Sequence, residues 1–317
     1  MTILRGAGAT RGRPRQPTAL SPSSSRLGER AVTIVLMICA AVSVGTTIGI
    51  VLALLGPAWS FFGQVSPVRF FTETEWTPRF DDPHYGIWPL ISGTLWTTAI
   101  ALVVAIPLGL GSAVHLAEYA SPRMRATVKP ILELLAGVPS VVYGYFALTF
   151  VAPVVLQGVF HVPGVGTFSV LSAGLVLGVM IIPTVASLAE DALSAVPRSL
   201  REASYGLGAN RMRTVTRVVF PAALSGIAAA LVLALSRAVG ETMIVALAAG
   251  SQARMVASAT QEGQTMTGFI AQAASGESVV GSLRYNTLFA VGLTLFVITL
   301  AINLVSIRLV RRFREAY

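Results

Sequence analysis

Long apolar runs alternate with short charged segments along most of the chain. A transmembrane helix needs about 20 predominantly apolar residues, and about six of the runs reach that length. The predicted spans cover residues 31–55, 87–119, 130–156, 170–188, 222–249 and 287–307. The second span is long enough to be tilted or to be kinked at Pro107. The pattern therefore predicts an all-α, polytopic membrane protein with about six transmembrane helices.

Composition favours the bilayer as the solvent of this chain. Hydrophobic residues make up 54% and charged residues 12%, whereas a soluble domain carries about 25% charged residues. The formal net charge is +9, but the charges fall between the apolar runs and form no basic face, so we predict no nucleic-acid partner. Cys39 is the only cysteine and His84, His115 and His161 are scattered singly, so we predict no metal site.

The distribution of arginine predicts the orientation. Most arginines lie in the N-terminal tail, in the loops after the second and fourth spans, and in the C-terminal tail. The positive-inside rule places these segments, and hence both termini, in the cytoplasm. Residues 1–28 are predicted to be a disordered basic cytoplasmic tail, and residues 29–317 a membrane domain. Within it, residues 56–86 form an external loop and residues 190–221 a cytoplasmic loop.

The external segments leave two compatible interpretations. The loop at residues 56–86 contains aromatic residues, among them Phe70, Phe71 and Trp76, which suit the membrane interface. It is either a packed cap over the first two spans or a contact surface for an external partner. The other external segment, residues 251–283, is rich in Gly, Ser, Thr and Gln, and we predict that it is partly helical.

The chain lacks the motifs of common enzymes. A P-loop needs a glycine-rich turn followed by lysine, and the only lysine, Lys129, follows no such turn. Nucleophile-elbow, HExxH and CxxC motifs are also absent from the sequence. We therefore predict no enzymatic activity and no cofactor in this chain. If transport is driven by ATP, a separate polypeptide must bind the ATP and Mg²⁺.

The cytoplasmic loop at residues 190–221 predicts a short helix. Pro197 suits a first helical turn, and Gly206 and Gly208 can end the helix in a left-handed cap. Leu200, Ala203 and Leu207 would then share one face. The alternative is a solvated basic loop that only sets the topology.

The same loop resembles the "EAA" loop of ABC-type permeases. The matching residues are Glu202, Ala203, Ser204, Gly208 and Pro221. In that family the loop is a helix that docks into a groove of the ATP-hydrolysing subunit. The resemblance therefore implies coupling to a separate ATPase. Serine in the third EAA place, Ser204, is a change from one small residue to another.

A second group of polar residues lies inside the fifth predicted span. A charged residue near the bilayer centre costs about 2.5–3.5 kcal/mol, so Arg237 and Glu241 need a structural or functional reason. They are four residues apart and would share a helix face. Three explanations stay open. The two side chains pair with each other, or they pair with groups on another helix or subunit. In the third explanation, Arg237 lies on a transport pathway and its planar guanidinium binds an oxyanion. In the last case Glu241 holds Arg237 in place or competes with the anion.

Two sequence runs extend the resemblance. Residues 237–243 (RAVGETM) and 133–144 (ELLAGVPSVVYG) resemble the PstC-type membrane subunits of bacterial phosphate ABC importers. The resemblance implies a MetI-like, type I importer membrane domain in the bacterial plasma (inner) membrane. It implies that Arg237, Glu241 and Thr242 lie on the substrate pathway. The implied partners are a PstA-type permease, a PstB-type ATPase dimer, a PstS-type external phosphate-binding protein, membrane lipid and inorganic phosphate.

Other functions stay open from the sequence. In the third predicted span Pro139 frees a backbone carbonyl, and Ser140 and Tyr143 either line a polar path or belong to a packing kink with Gly137 and Gly144. The substrate is either phosphate or another oxyanion such as sulfate or molybdate. An ion-coupled secondary transporter would need inverted repeats, and no convincing repeat is visible. A scaffold or sensor subunit would leave Arg237 without a role beyond pairing.

Overall fold

The structure, a computed structural model, describes residues 26–276 and 279–312 of the chain. The tail predicted at residues 1–28 lies outside the described residues except for its last three. The chain divides into two compact units, Met1–Ile50 and Val51–Tyr317. The described part of the first unit is one apolar helical stretch, and every side chain described in it is exposed. All sites discussed below lie in the second unit.

The described residues are predominantly helical, which confirms the all-α prediction. The helices are α1 Arg26–Phe62, α2 Pro67–Thr72, α3 Trp88–Val114, α4 Pro122–Ala136, α5 Ser140–Phe146, α6 Val170–Ser194, α7 Arg198–Gly206, α8 Arg211–Thr214, α9 Phe220–Ala222, α10 Leu224–Gly240, α11 Met243–Ala248, α12 Met266–Ala274 and α13 Leu283–Arg312. Three π-helical segments, His115–Tyr119, Ala147–Val159 and Val215–Val219, extend α3, α5 and α8.

Among the described residues, five or six helical segments are long and apolar enough to cross a membrane. The five are Gly28–Phe62, Trp88–Tyr119, Ser140–Val159, Val170–Ser194 and Leu283–Arg308. A sixth is obtained if Arg211–Ala222 and Leu224–Gly240, which are bent by 69° at a short break, are counted as one span. This agrees with the prediction of about six spans.

The boundaries of two predicted spans were wrong. The third does not begin at residue 130, because α4 ends at Ala136 and α5 begins only at Ser140. Pro139 has no N–H and disfavours the helical conformation of the residue before it. The fifth does not continue to residue 249, because α10 ends at Gly240 and Glu241 is extended, with φ −65° and ψ 133°.

Close packing of α3 against α6 forms the centre of the second unit. An added Cβ on Gly178 of α6 would lie 2.9 Å from the Ala101 carbonyl oxygen of α3. An added Cβ on Gly109 of α3 would lie 2.7 Å from Val185 Cβ of α6. Small residues of this kind let helix backbones approach closely in membrane proteins. The two helices therefore form a tightly interlocked pair.

An aromatic cluster packs around the start of α3. Phe61, Phe70, Trp76, Tyr85 and Phe269 are buried together. Their rings meet edge to face, for example Trp76 and Phe269 with centroids 5.0 Å apart, a favoured aromatic geometry. The prediction of a packed cap is confirmed. The predicted helix within residues 251–283 is also present, as α12.

The two ends of α6 contact different parts of the chain. At its beginning, the N–H of Ser169 donates to Ala248 (3.0 Å) and that of Val170 donates to Gln261 (2.9 Å). At its other end, the Leu193 carbonyl accepts from Arg201 of α7. We call the first of these, where the chain after Gln261 leads into α12, the α12 end, and the second the α7 end.

Candidate functional site

Helix α7, at the α7 end, contains three of the EAA-like residues, Glu202, Ala203 and Ser204. Pro197 precedes the helix as its N-cap. At the other terminus Gly208 has φ +80°, its N–H donates to Tyr205 (2.9 Å), and the N–H of Ala209 donates to Ser204 (3.2 Å). This pair of bonds is the Schellman motif, which favours glycine at the left-handed position. The left-handed cap predicted here is therefore formed by Gly208, whereas Gly206 is the last helical residue.

The outer face of α7 is open. Glu202 and Ala203 are exposed, and Leu207 is 90% exposed. Leu200, Ala203 and Leu207, the face predicted from the sequence, line a cavity of about 420 Å³. Its other lining residues are Ser204, Ala209, Arg213, Arg217 and Val218. An exposed apolar face beside an exposed carboxylate is a suitable surface for a protein partner.

Two other EAA-like residues lie at structural joints of this region. Ser204 is buried, and its hydroxyl lies 2.9 Å from the Thr214 hydroxyl, so it joins α7 to α8. Pro221 is exposed and lies in α9, next to the 69° bend that leads into α10. Ser204 therefore fixes the position of α7, and Pro221 marks the bend.

An ion pair that was not predicted from the sequence fixes α7 to α3. Arg201 Nε and Nη2 donate to Glu118 Oε1 at 3.1 and 2.8 Å. The Arg201 guanidinium also donates to the carbonyls of Leu193 (2.8 Å) and Val196. The Glu118 and Arg201 side chains are only 5% and 16% exposed. Arg201 therefore connects α7 to the ends of both α3 and α6.

A second charge cluster, also missed, holds α4 against α6. The Glu190 carboxylate is 1% exposed and accepts from Arg125, from Lys129 Nζ (2.8 Å) and from Ser194 Oγ (2.8 Å). Lys129 Nζ also donates to Asp191 at 2.6 Å. These hydrogen bonds to Asp191 and Glu190 raise the pKa of Lys129. No residue of α4 is buried, so this cluster is the main polar attachment of the helix.

Arg237 and Glu241 do not share a helix face, contrary to the sequence prediction. Arg237 lies in the last turn of α10, and Glu241 follows the helix end. Arg237 is exposed, and its Nη1 donates to Thr184 Oγ1 at 3.3 Å. Among residues 26–276 and 279–312, no carboxylate oxygen lies within 4.0 Å of its guanidinium.

The carboxylate of Glu241 is used at the chain break instead. Its Oε1 accepts from the N–H groups of Met243 (3.0 Å) and Ile244 (3.3 Å), at the start of α11. The Glu241 carbonyl accepts from the Thr267 hydroxyl at 2.6 Å. Thr242 lies in the break and donates its hydroxyl to Gly240 (3.3 Å). Side chains thus satisfy backbone groups that the interrupted helix leaves free.

Tyr143 and Ser140 lie at the start of α5. Tyr143 Oη donates to the Leu135 carbonyl at 3.0 Å, which in a continuous helix would accept from residue 139, a proline without N–H. An added Cβ on Gly144 would lie 2.9 Å from Leu247 of α11. This geometry agrees with a packing kink, and lining of a pathway by Ser140 and Tyr143 stays a prediction.

Comparison with known proteins shows the family. Residues 105–315 match the family model described as "Binding-protein-dependent transport system inner membrane component". The chain belongs to this family. The permease is 38% identical to the probable ABC transporter permease protein YqgH of Bacillus subtilis, over 86% of each chain. It is 36% identical to the phosphate transport system permease protein PstC 1 of Mycobacterium tuberculosis, over 78% of this chain and 83% of that one.

A solved structure shows the same fold. A bacterial ABC transporter involved in the import of the acidic polysaccharide alginate matches with a TM-score of 0.60 and 17% identity, over 90% of this chain and 98% of that one. The permease is thus a multi-pass membrane subunit of the ABC importer class with the MetI-like fold. The family implies an ATPase and a substrate-binding protein as partners.

Proposed function

We propose that the permease forms half of the translocation pathway of an ATP-driven importer of inorganic phosphate. The observation that supports this most directly is the Arg237 guanidinium. It lies in the last turn of α10, which belongs to the bent candidate span Arg211–Ala222 plus Leu224–Gly240, and no carboxylate among the described residues lies within 4.0 Å of it. An unpaired charge at membrane depth is costly, and such residues usually serve a pathway. Relatives named PstC favour phosphate as the anion.

The chemistry of arginine suits this substrate. A guanidinium is always charged and matches two oxygens of a phosphate in a bidentate way. Within residues 26–276 and 279–312 the Arg237 guanidinium makes one hydrogen bond, from Nη1 to Thr184, which is long at 3.3 Å. The other nitrogens are thus available for an anion. Weak binding also suits transport, since a pathway must release what it binds.

One arginine is a small charge for a phosphate dianion. We therefore propose a heterodimer in which a PstA-type permease supplies further positive charge to the same pathway. A PstS-type binding protein would deliver phosphate at the α12 end. On this proposal the chain alone does not transport.

The α7 end is proposed to be cytoplasmic. Arg123, Arg198, Arg211 and Arg213 lie there, and the positive-inside rule places such clusters in the cytoplasm. The open face of α7 would then dock into a PstB-type ATPase, which supplies the ATP and Mg²⁺ chemistry. Glu202 and the cavity beside Leu207 are the proposed contact.

The test is ATP-dependent phosphate uptake in vesicles that contain the whole reconstituted complex. Each charged hydrogen bond from Arg237 to phosphate is worth about 1.5–3 kcal/mol. Arg237→Gln removes two of them if the contact is bidentate, and uptake should then fall by about 100-fold or more. Arg123→Gln removes an exposed arginine of α4 and is the charge-matched control. Docking is measured separately by pull-down of the ATPase with the permease, and Glu202→Lys should abolish it.

The outcomes separate the alternatives. Loss of uptake in Arg237→Gln with the ATPase still bound supports the proposal. Undiminished uptake would remove Arg237 from the pathway and with it the physical support for phosphate. Competition by sulfate or molybdate, stronger than self-competition by phosphate, would identify another oxyanion importer. Uptake driven by an ion gradient without ATP would identify a secondary transporter.

A further inference from the structure

We propose that Glu118 is a positioning residue for energy coupling. Together with Arg201 it would make the docking helix α7 and the α3–α6 pair move as one body when the ATPase moves. The inference rests on the proposed docking of an ATPase at α7. It adds the route by which that movement enters the membrane spans.

The first support is the geometry of the ion pair. Two nitrogens of Arg201 contact one carboxylate oxygen of Glu118, and both side chains are largely buried. A buried charged side chain stays in contact with its partner, because separating the two would leave an uncompensated charge away from water. The pair is therefore a stiff connection, unlike an exposed ion pair that exchanges readily with water.

The second support is an adjacent contact from the same π-helical segment. Arg211 Cζ of α8 lies 4.9 Å from the centroid of the Tyr119 ring, a cation–π distance. The His115 ring, in the same π-helical segment, stacks nearly parallel to the Tyr119 ring, with the two centroids 6.5 Å apart. Consecutive residues, Glu118 and Tyr119, thus contact α7 and α8 respectively. The end of α3 therefore binds both sides of the docking segment.

The third support is what lies behind this contact. The α3–α6 pair is interlocked at Gly109, Gly174 and Gly178, where an added Cβ would lie 2.7–2.9 Å from the facing helix. Close-packed helices of this kind transmit displacement with little internal yielding. Arg201 also holds the Leu193 and Val196 carbonyls at the end of α6. A displacement of α7 therefore reaches both helices of the pair through one side chain.

The covalent route from α7 to α10 is less direct than the contacts with α3 and α6. The chain leaves α8 through α9 and turns by 69° before α10 begins. Pro221, which cannot donate a backbone hydrogen bond, lies in α9 beside this turn, and such a break is a natural position for a hinge. The helix that contains Arg237 is thus connected to α7 through a bend. By contrast, α6 precedes α7 by three residues, and α3 is connected to α7 through the buried ion pair.

The test measures the amount of substrate transported per ATP hydrolysed by the complete complex in vesicles. The variants are Glu118→Gln, which keeps the shape and removes the charge, Arg201→Gln, and the double variant. Glu133→Gln, an exposed glutamate of α4, is the matched control, and Glu118→Asp tests whether retaining the charge rescues coupling. Assembly is checked by size-exclusion chromatography and pull-down of the ATPase.

We expect Glu118→Gln to lower transport per ATP by about tenfold or more while the ATPase stays bound and continues to hydrolyse ATP. The double variant should be no worse than Arg201→Gln alone, because Arg201→Gln already removes the interaction with Glu118. Glu118→Asp should recover part of the loss, and it is the deciding variant if Glu118→Gln does not assemble.

Two results would overturn the inference. One is a wild-type ratio of transport to hydrolysis in Glu118→Gln. The other is loss of the ATPase from assembled Glu118→Gln and Glu118→Asp complexes, which would make the pair part of docking and not of transmission. Failure of the proposed function is seen separately, as absence of ATP-driven phosphate uptake in the wild-type complex.

Discussion

The charge cluster at the end of α6 predicts a large difference between two adjacent carboxylates. Glu190 and Asp191 both accept a hydrogen bond from Lys129. Glu190 is 1% exposed and also accepts from Arg125 and Ser194, whereas Asp191 is 57% exposed and accepts from no side chain but Lys129 in the part of the chain that the structure describes. Glu190→Gln and Asp191→Asn each replace a carboxylate by an amide of the same shape, so the comparison isolates the charge.

The magnitudes follow from the burial of each group. Removing one partner of a fully buried ion pair costs about 3–5 kcal/mol. The Arg125 and Lys129 side chains are 39% and 26% exposed, so they recover water and the cost for Glu190→Gln falls to about 2–3 kcal/mol. Asp191→Asn breaks a pair with one exposed partner, which costs about 0.2–1 kcal/mol.

The assay is reversible unfolding of the purified permease from detergent micelles by added dodecyl sulfate, with the free energy of unfolding compared among wild type, Glu190→Gln and Asp191→Asn. The loss in Glu190→Gln should change little with added salt, because buried charges are weakly screened. The reasoning is refuted if Asp191→Asn costs as much as Glu190→Gln, since burial would then not determine the contribution of the cluster.

Two glycine pairs give predictions of opposite sign. Gly178→Ala should lower the free energy of unfolding by about 1–3 kcal/mol, because its Cβ would overlap α3. An added Cβ on Gly111 would meet nothing within 4 Å, so Gly111→Ala should raise the free energy of unfolding by about 0.5–1 kcal/mol. The unfolding assay described above measures both variants. Gly208→Ala should cost about 1–2 kcal/mol, because its φ is +80°, and amide exchange in the last turn of α7 should accelerate. Gly206→Ala, helical and in open space, should slow that exchange, and the same direction for both variants would contradict the cap.

Hydropathy predicted the spans but not their interruptions. The break before α5 had a local signal, since Gly137 and Pro139 stand within one apolar run. The break at Glu241 had none of comparable strength, because apolar residues continue on both sides of it. Part of its stabilisation comes from the Thr267 hydroxyl, and Thr267 is distant in sequence. A contact of that kind cannot be read from periodicity.

The candidate sites were predictable to different degrees for the same reason. The docking helix follows from residues close in sequence, and Gly208 alone accounts for its cap. Glu118 and Glu190 find their partners on other elements, so their pairing was not visible. Glu118 nevertheless gave a signal in the sequence, since it lies inside the second predicted span, where a charge carries an insertion cost that is largest near the bilayer centre.

The structure also shows that the acidic side chains of the neighbouring spans have partners other than Arg237. The acidic side chains at the ends of the neighbouring spans are all engaged: Glu118 by Arg201, Glu190 by Arg125 and Lys129, and Glu241 by backbone N–H groups. Glu241 cannot turn to Arg237 without giving up the start of α11, and that exchange would cost about 0.5–2 kcal/mol, as for other lost helix caps. The described residues thus leave a positive charge at the end of α10 without a counter-charge. On the function proposed above, an incoming anion would neutralise this charge without displacing any carboxylate of the described residues.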